Sequence, residues 1–259
     1  MQLSVILPVR NEEALLKDAC DAFAAEFDRI VGPGNWQFVL VENGSNDASP
    51  IIIEQIRSER KETINLTLAV ADYGNSLREG ILAATGEWMM ILNVDHLWDP
   101  PFFEWGWSQR NNYDLILGSK RADPTINKQD SYRRILSAGL NGLLNYFFDF
   151  MGADSHGMKL MKTEPLRAIA RQCIMRRGQF DTELTIRAMR SGLWVLEAPI
   201  PYQEKRKPRN FMIKKISQNV LDLFRLYRVL RSVPYEGHFR YRRICREDLL
   251  KGWADPSAA

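Results

Sequence analysis

Apolar and polar positions alternate between two kinds of segment along the first half of the chain. Short apolar runs rich in β-branched residues predict buried strands, at 4–9, 36–41, 66–71, 87–92, 114–118 and again at 192–199. Between these runs, apolar residues recur at the spacing of a helix. Strands and helices that alternate in this way form a mostly parallel sheet. The sequence therefore predicts an α/β domain with helices on both faces of the sheet.

Polar clusters follow three of the predicted strands, at 10–12, 42–47 and 93–95. In sheets of this kind, ligands bind beyond the carboxyl ends of the strands. The chain has no GxGxxG after its first strand and no GxxxxGK[ST], which weighs against dinucleotide binding and against P-loop chemistry. Carboxylates and amides in these turns can bind a base or ribose, or hold a divalent cation that bridges to phosphate. Asn11 is also expected to cap the first helix.

The second half of the chain is less regular. We predict helices at 132–150, 164–172 and 182–191, and an amphipathic helix at 211–231 whose apolar stripe has Lys and Arg beside it. We divide the chain into a domain at 1–210 and a basic amphipathic C-terminal extension at 211–259. The stripe can pack on the body of the protein or lie in a membrane interface, and the sequence leaves both open.

Composition indicates a folded protein, with 259 residues, 45% hydrophobic and 26% charged. No apolar run reaches the length of a membrane span, and the first residues lack the features of a signal peptide. Three widely spaced cysteines argue against a disulfide framework. We therefore expect a cytoplasmic protein, with peripheral contact to the cytoplasmic membrane face left open.

The net charge of +3 hides an asymmetry along the chain. Residues 205–246 contain 13 Lys or Arg and only 2 acidic residues. Such a segment favours a polyanionic partner, either nucleic acid or an anionic membrane, although a merely solvated tail accounts for the charge equally well. No RRM, KH or helix-turn-helix pattern is present, so we expect no nucleic-acid partner.

Several motifs, in order, resemble family 2 glycosyltransferases. The first four are SVILPVRNEEALL, VENGSNDAS, NVDHLWDPP at the position of the family's D-x-D, and GSKR. The later ones, SYRRILS, DSHGMKLMKTEPL and FDTELTIRAMRSGLWVLEAPIPYQEKRKPR, resemble the dolichyl- or polyprenyl-phosphate sugar transferase branch. The resemblance runs from about residue 3 to about residue 210. It implies a GT-A fold and the inverting transfer of a sugar from a nucleotide-diphosphate sugar, with uridine or guanosine as the base, to a polyprenyl phosphate.

The resemblance also implies a donor site at the three polar clusters. Asn43 stands where the family has an aspartate, and Asn93 replaces the first aspartate of D-x-D, while Asp95 keeps the second. A site for Mg²⁺ or Mn²⁺ at Asn93 and Asp95 is thus weakened, since an amide oxygen attracts a cation less than a carboxylate does. The residues assigned to the donor are Pro8, Arg10, Asn11, Glu12, Glu42, Asn43, Asp72, Asn93, Asp95, Lys120, Arg121, Ser137, Arg206 and Arg209.

On the acceptor side, a phosphate oxygen is already a nucleophile and needs no strong general base. It needs cations that hold it in line with the anomeric carbon. By resemblance, this cradle consists of Lys120, Arg121, Arg133, Arg134 and Ser137, while Arg206 and Arg209 grip the donor diphosphate. Asp181 and Glu183 bind sugar hydroxyls, act as a base, or cap their helix. The predicted catalytic residues are Asp95, Asp181, Glu183, Arg133 and Arg134.

Two alternatives stay open at this point. A hydroxyl acceptor on a glycan or lipid would need Asp181 or Glu183 as its base. A degenerate member of the family would bind nucleotide without transfer, and Asn43 with Asn93 is the sequence reason to consider it.

Overall fold

An eight-stranded sheet organises the part of the chain that the computed structural model describes, namely residues 1–94, 99–123, 125–126, 139, 142–148, 150–152, 156–201, 221–222, 224–231 and 240–252. The strands are β1 (Leu3–Val9), β2 (Trp36–Glu42), β3 (Ile64–Thr67), β4 (Trp88–Ile91), β5 (Leu115–Ser119), β6 (Met158–Lys162), β7 (Trp194–Pro199) and β8 (Arg240–Arg243). Their spatial order is β3-β2-β1-β4-β6-β5-β7-β8. Only β6 among them is antiparallel, and it is so to both neighbours.

Helices cover both faces of this sheet. They are α1 (Leu16–Ile30), α2 (Ser49–Glu59), α3 (Tyr73–Ala83), α4 (Pro100–Gln109), α5 (Thr163–Gln172), α6 (Gln179–Arg190) and α7 (Arg246–Leu250), with a 3₁₀ turn at Arg110–Asn112 and helical residues at 142–148 and 224–230. Successive side chains of a strand point to opposite faces. Val5 therefore joins the core that contains α1 and α4, whereas Ile6 joins the core that contains α3 and α6.

These observations confirm the predicted fold class, and most predicted strands lie within a few residues of their expected places. The third strand is displaced: it spans Ile64–Thr67, and residues 68–71 form the turn that leads into α3. The sequence pattern missed β6 because Lys159 interrupts its apolar run, although this lysine is fully buried.

The predicted N-cap at Asn11 is wrong. Helix α1 begins at Leu16, after Leu15, and Asn11 adopts a left-handed backbone conformation with φ of 55°. Asparagine tolerates this region better than most residues, since its short polar side chain can hydrogen-bond locally. Asn11 is therefore a turn residue in the loop that precedes the helix.

Part of the predicted C-terminal extension completes the sheet. Strand β8 pairs in parallel with β7, and the buried carboxylate of Glu197 on β7 accepts hydrogen bonds from Tyr241 and Arg243 on β8. Arg246 donates to Asp99, at the start of α4, with one bond of 2.9 Å. The division at residue 210 stays a prediction.

The described end of the predicted amphipathic helix is buried on one side only. Leu226 and Leu230 are buried against the core of α3 and α6, whereas Phe224 is 62% exposed. Residues 211–220 and Leu223, which carry much of the predicted stripe, lie outside the described residues. In the part of the chain that is described, no helix is both long and apolar enough to cross a membrane.

Candidate active site

Two loops at the carboxyl edge of the sheet are joined by reciprocal hydrogen bonds. The Asn11 amide donates to the Ser45 hydroxyl at 3.1 Å, and the Asn46 amide donates to the Asn11 side-chain oxygen at 2.9 Å. Gly44 has φ of 69°, so the second loop turns where a side chain would be strained. The loop after β1 and the loop after β2 therefore form one ledge.

The same ledge continues to the start of α2. The backbone amide of Glu12 donates to the Ser49 hydroxyl at 2.8 Å, and that of Glu13 donates to Asp47 at 3.1 Å. In return, the Glu13 carboxylate accepts from the Ala48 amide at 2.9 Å. Hydrogen bonds to Ser49 and to backbone amides hold the pKa of Asp47 below its usual range, although burial opposes them.

A chain of hydrogen bonds links β2 to α3 and then to the loop before α6. The buried Asn43 side chain accepts from the Asp72 amide at 2.7 Å. Asp72 caps α3 by accepting from the Asn75 amide at 3.1 Å, and the same oxygen accepts from the Arg177 amide at 2.9 Å. Backbone atoms of Arg177 would lie 2.5 Å from a Cβ at Gly74, so only glycine permits this approach.

The predicted donor residues Glu42 and Asn43 are both buried at this edge. The Glu42 carboxylate accepts from the Ser45 amide at 2.5 Å. Glu12 and Pro8 are partly buried, and Arg10 and Asn11 are exposed. The structure thus brings together the donor residues of the first two polar clusters and Asp72.

Asn93 lies at the end of β4, where its side-chain oxygen accepts from the Tyr73 hydroxyl at 3.3 Å. Asp95 lies outside the described residues. Among those that are described, no three His, Cys, Asp or Glu side chains group as a metal site would require. A single amide oxygen does not by itself fit Mg²⁺ or Mn²⁺. The metal site at Asn93 and Asp95 stays a prediction.

Lys120 and Arg121 follow β5 in a tight turn and are partly buried. Ser119 shapes this turn, because its hydroxyl accepts from the amides of Arg121 and Ala122 at 3.3 and 3.1 Å. The other predicted cradle and clamp residues lie outside the described part of the chain, namely Arg133, Arg134, Ser137, Arg206 and Arg209.

Asp181 and Glu183 lie in the first half of α6 and are both buried. Asp181 forms an ion pair with Lys159 of β6 at 2.7 Å. Glu183 accepts from the amides of Ile174 and Met175 at 3.0 and 2.7 Å and from Arg187 at 2.8 Å. Both carboxylates therefore hold α6 to its surroundings, whatever else they do.

Sequence reasoning missed Tyr73 and Arg177 at this edge. Tyr73 directly follows the assigned Asp72, and Arg177 directly precedes the glycine and glutamine before the F-D-T-E motif. Their closeness in sequence to motif residues was the one signal that could have pointed to them. Their contacts are long-range, because Tyr73 and Asn93 are 20 residues apart and Arg177 and Asp72 are 105 residues apart.

The mostly parallel sheet, with its polar loops at the carboxyl edge, has the architecture of the GT-A fold class that the motifs predicted. The family model described as Glycosyl transferase family 2 matches residues 4–178. The chain belongs to this family, as the motifs predicted.

Curated relatives cover most of the chain at low identity. Glycosyltransferase AglD of Haloferax volcanii is 21% identical over 83% of this chain and 35% of its own length. Undecaprenyl-phosphate 4-deoxy-4-formamido-L-arabinose transferase of Pectobacterium atrosepticum is 30% identical over 55% of this chain and 42% of its own. Dolichyl-phosphate beta-glucosyltransferase ALG5A of Trichomonas vaginalis is 24% identical over 78% and 66%. The chain thus spans between about a third and two thirds of the length of these relatives.

Solved structures share the fold. Glucosyl-3-phosphoglycerate synthase from Mycobacterium tuberculosis, crystallised with Mn²⁺, uridine diphosphate and phosphoglyceric acid, superimposes with a TM-score of 0.58 at 15% identity, over 91% of this chain and 80% of that one. Residues 1–349 of TarS from S. aureus give a TM-score of 0.51 at 16% identity, over 71% and 54%. Both confirm the predicted GT-A architecture.

Proposed function

We propose that this protein transfers a sugar, with inversion, from a nucleotide-diphosphate sugar to a polyprenyl phosphate. The observation that carries the proposal is the set of hydrogen-bonded loops at the carboxyl edge of the sheet, where Asn11 joins the two loops of the ledge and Asn43 joins the end of β2 to Asp72. The names of two curated relatives contain undecaprenyl phosphate and dolichyl phosphate, which supports a polyprenyl phosphate as the acceptor.

The ledge binds the nucleoside of the donor. Its carboxylates and amide side chains offer hydrogen-bond acceptors to a base or ribose, and Glu12 faces the base. Because Asn11, Asn43 and Asp72 are fixed by bonds between loops, little conformational entropy is lost when the donor binds. The donor is a UDP- or GDP-sugar.

The transfer is a direct displacement. An oxygen of the acceptor phosphate forms a bond to the anomeric carbon, while the bond from that carbon to the donor diphosphate breaks and the nucleoside diphosphate leaves. The acceptor oxygen carries its own negative charge, so no proton has to be removed from it. Lys120 and Arg121, with the predicted Arg133 and Arg134, neutralise the phosphates that would otherwise repel each other.

A hydroxyl acceptor receives less support from the described site. It would need a carboxylate as base. Asp181 is paired with Lys159, and Glu183 already accepts from two amides and from Arg187. These contacts favour a phosphate acceptor, for which neither carboxylate has to take a proton.

Exposed apolar side chains support contact with the membrane that carries such an acceptor. Tyr146 is 80% exposed, Phe224 is 62% exposed and Leu221 is 57% exposed. Phe147 and Tyr227 stack edge to face at 5.8 Å, which joins residues 142–148 to the helix at 224–230. We call this surface, formed by Leu143, Tyr146, Phe147, Leu221, Phe224 and Tyr227, the aromatic face. Aromatic and apolar side chains next to arginines are typical of peripheral membrane surfaces.

The decisive experiment is a transfer assay with UDP- and GDP-sugars, with and without Mn²⁺, and a short-chain polyprenyl phosphate. We expect one donor to turn over only when the lipid phosphate is present. Nucleotide binding without turnover on lipid-phosphate or hydroxyl acceptors would instead identify a protein that has lost catalysis.

A further inference from the structure

A cavity of about 620 Å³ lies between the loop before α6 and the helix at 224–230. Among the described residues, its lining contains four arginines, Arg176 and Arg177 from the loop and Arg225 and Arg228 from the helix, and one carboxylate, Asp222. We call this cavity the arginine groove. Apart from the backbone amide of Arg177, none of these arginines belongs to the donor site described above.

The charges of the arginine groove are poorly balanced within the protein. Asp222 pairs with Arg225 at 3.5 Å. Across the part of the chain that is described, no ion pair engages Arg176, Arg177 or Arg228. Guanidinium groups that share one cavity repel each other, and a bound anion relieves this repulsion. The groove therefore has the electrostatics of an anion site.

The chemistry of the lining narrows the class of anion. A guanidinium presents a planar fork of donors that matches the oxygens of phosphate, which several arginines can contact at once. The groove also has an apolar side, formed by Ile174, Met175 and Val229. Ile174 is 64% exposed. A phosphate that is attached to an apolar chain satisfies both parts of the lining.

The position of the groove connects it to the donor site. The backbone amide of Arg177 donates to Asp72 at 2.9 Å, so one wall of the groove is fixed to a residue of the predicted donor site. Its other wall, the helix at 224–230, carries Phe224 and Tyr227 of the aromatic face. The groove thus joins the donor edge of the sheet to the surface that we assign to the membrane.

We propose that the arginine groove binds a phosphomonoester, and that its source is the phosphate of a polyprenyl chain, which the groove captures before that phosphate reaches Lys120 and Arg121 for transfer. The binding of phosphate rests on the groove alone, whereas the lipid as its source rests on the proposed function. A free phosphate or a soluble phosphate ester offers the same headgroup chemistry, and the experiment separates these sources.

The test compares the full chain with the variant Arg176→Gln/Arg228→Gln. The matched control is Arg57→Gln/Lys61→Gln. It also removes two positive charges, from exposed positions that are far in sequence from the groove. Each protein is titrated with a short-chain polyprenyl phosphate in micelles, with inorganic phosphate, and with UDP. We expect the groove variant to bind the lipid phosphate at least about tenfold more weakly, while the control stays within about twofold of the unaltered protein and UDP affinity is unchanged in all three.

The outcomes are separable. If inorganic phosphate binds as tightly as the lipid and weakens equally in the groove variant, the phosphate site stands and its source is a soluble anion. If the groove variant binds the lipid phosphate as tightly as the control does, and also binds inorganic phosphate as tightly as the control does, the proposal is overturned. Should the double variant fail to fold, Arg176→Gln alone, in an exposed loop position, gives the same comparison. If the groove binds phosphate but the protein transfers no sugar, the proposed function is rejected and the phosphate site remains.

Discussion

At the scale of single residues, the most consequential feature is the ion pair between Lys159 and Asp181. Their atoms are 2.7 Å apart, and the side chains are 0% and 2% exposed. Lys159 also donates to the carbonyl of Gly157 at 3.1 Å. A buried pair of this kind contributes little compared with apolar residues of the same volume, but removal of one partner leaves a charge without water or countercharge.

Asp181→Asn is therefore expected to lower the free energy of unfolding by about 3 to 5 kcal/mol. The reason is the Lys159 ammonium that is left buried. Urea unfolding measures the loss, and Lys159→Met/Asp181→Leu should recover most of it. An Asp181→Asn protein with unchanged stability but no turnover would instead point to the predicted catalytic role of Asp181.

Asn93→Asp tests the weakened metal site. The substitution adds a carboxylate where the family motif has one, and it keeps an oxygen that can accept from Tyr73. We expect the Mn²⁺ concentration that gives half-maximal transfer to fall by about tenfold, because a carboxylate binds a divalent cation more strongly than an amide does. Asn112→Asp, remote in sequence from the motif, is the control. Equal metal dependence in the two variants and the unaltered protein would argue against a metal at Asn93.

At the scale of secondary-structure elements, a buried carboxylate on β7 adds side-chain contacts to the backbone pairing of the edge strand β8. Glu197 is fully buried and accepts from Arg243 at 2.9 Å and from the Tyr241 hydroxyl. Burial, reinforced by the charge of Glu197, raises the pKa of Tyr241 well above its usual range. The attachment of β8 thus depends on Tyr241 in its neutral form.

This arrangement predicts a loss of stability at alkaline pH. The pKa of Tyr241 is raised on folding, so its contribution is fully present below the pKa of an unfolded tyrosine, about 10. Above that pH the unfolded chain loses the proton while the folded chain retains it, and the free energy of unfolding falls. Unfolding by urea between pH 9 and 11 should show a steeper fall for the unaltered protein than for Tyr241→Phe. Parallel curves would contradict the assignment.

At the scale of the whole molecule, the aromatic face and the arginine groove lie next to each other on the second half of the chain. Phe224 of the face and Arg225 and Arg228 of the groove belong to one helical segment. The other side of that segment is anchored by Leu226 and Leu230. The segment therefore packs on the body with one side and leaves its other side exposed, and the membrane contact that its sequence left open stays a prediction.

Vesicle binding tests this surface. We expect the protein to sediment with vesicles that contain anionic phosphatidylglycerol and to do so less at high salt, because the attraction to headgroups is screened. Phe224→Ser should weaken the binding about tenfold through loss of buried apolar area. Ile51→Ser, at a residue of α2 that is 74% exposed, is the matched control. If both substitutions weaken vesicle binding equally, the aromatic face does not contribute to it.

The sequence by itself determined the local elements and the family. Apolar periodicity depends only on neighbouring residues, and it was sufficient for β1, β2, β4 and most helices. The ordered motifs identified the family and predicted its donor loops. The hydrogen bonds between those loops and the rest of the chain could not be predicted. Asp72 contacts Asn43 and Arg177 only after segments that are distant in sequence have folded together.

Only the tertiary structure decided what the charged residues in the second half do. A lysine in a short apolar run predicts a surface position, yet Lys159 is buried because β6 runs between β4 and β5 and α6 supplies Asp181. Likewise, two arginine pairs about fifty residues apart in sequence form one groove because α6 and the helix at 224–230 pack on the same face of the sheet. Side-chain charge is set by sequence, but its neighbours and its exposure to water are set by the packing of distant elements.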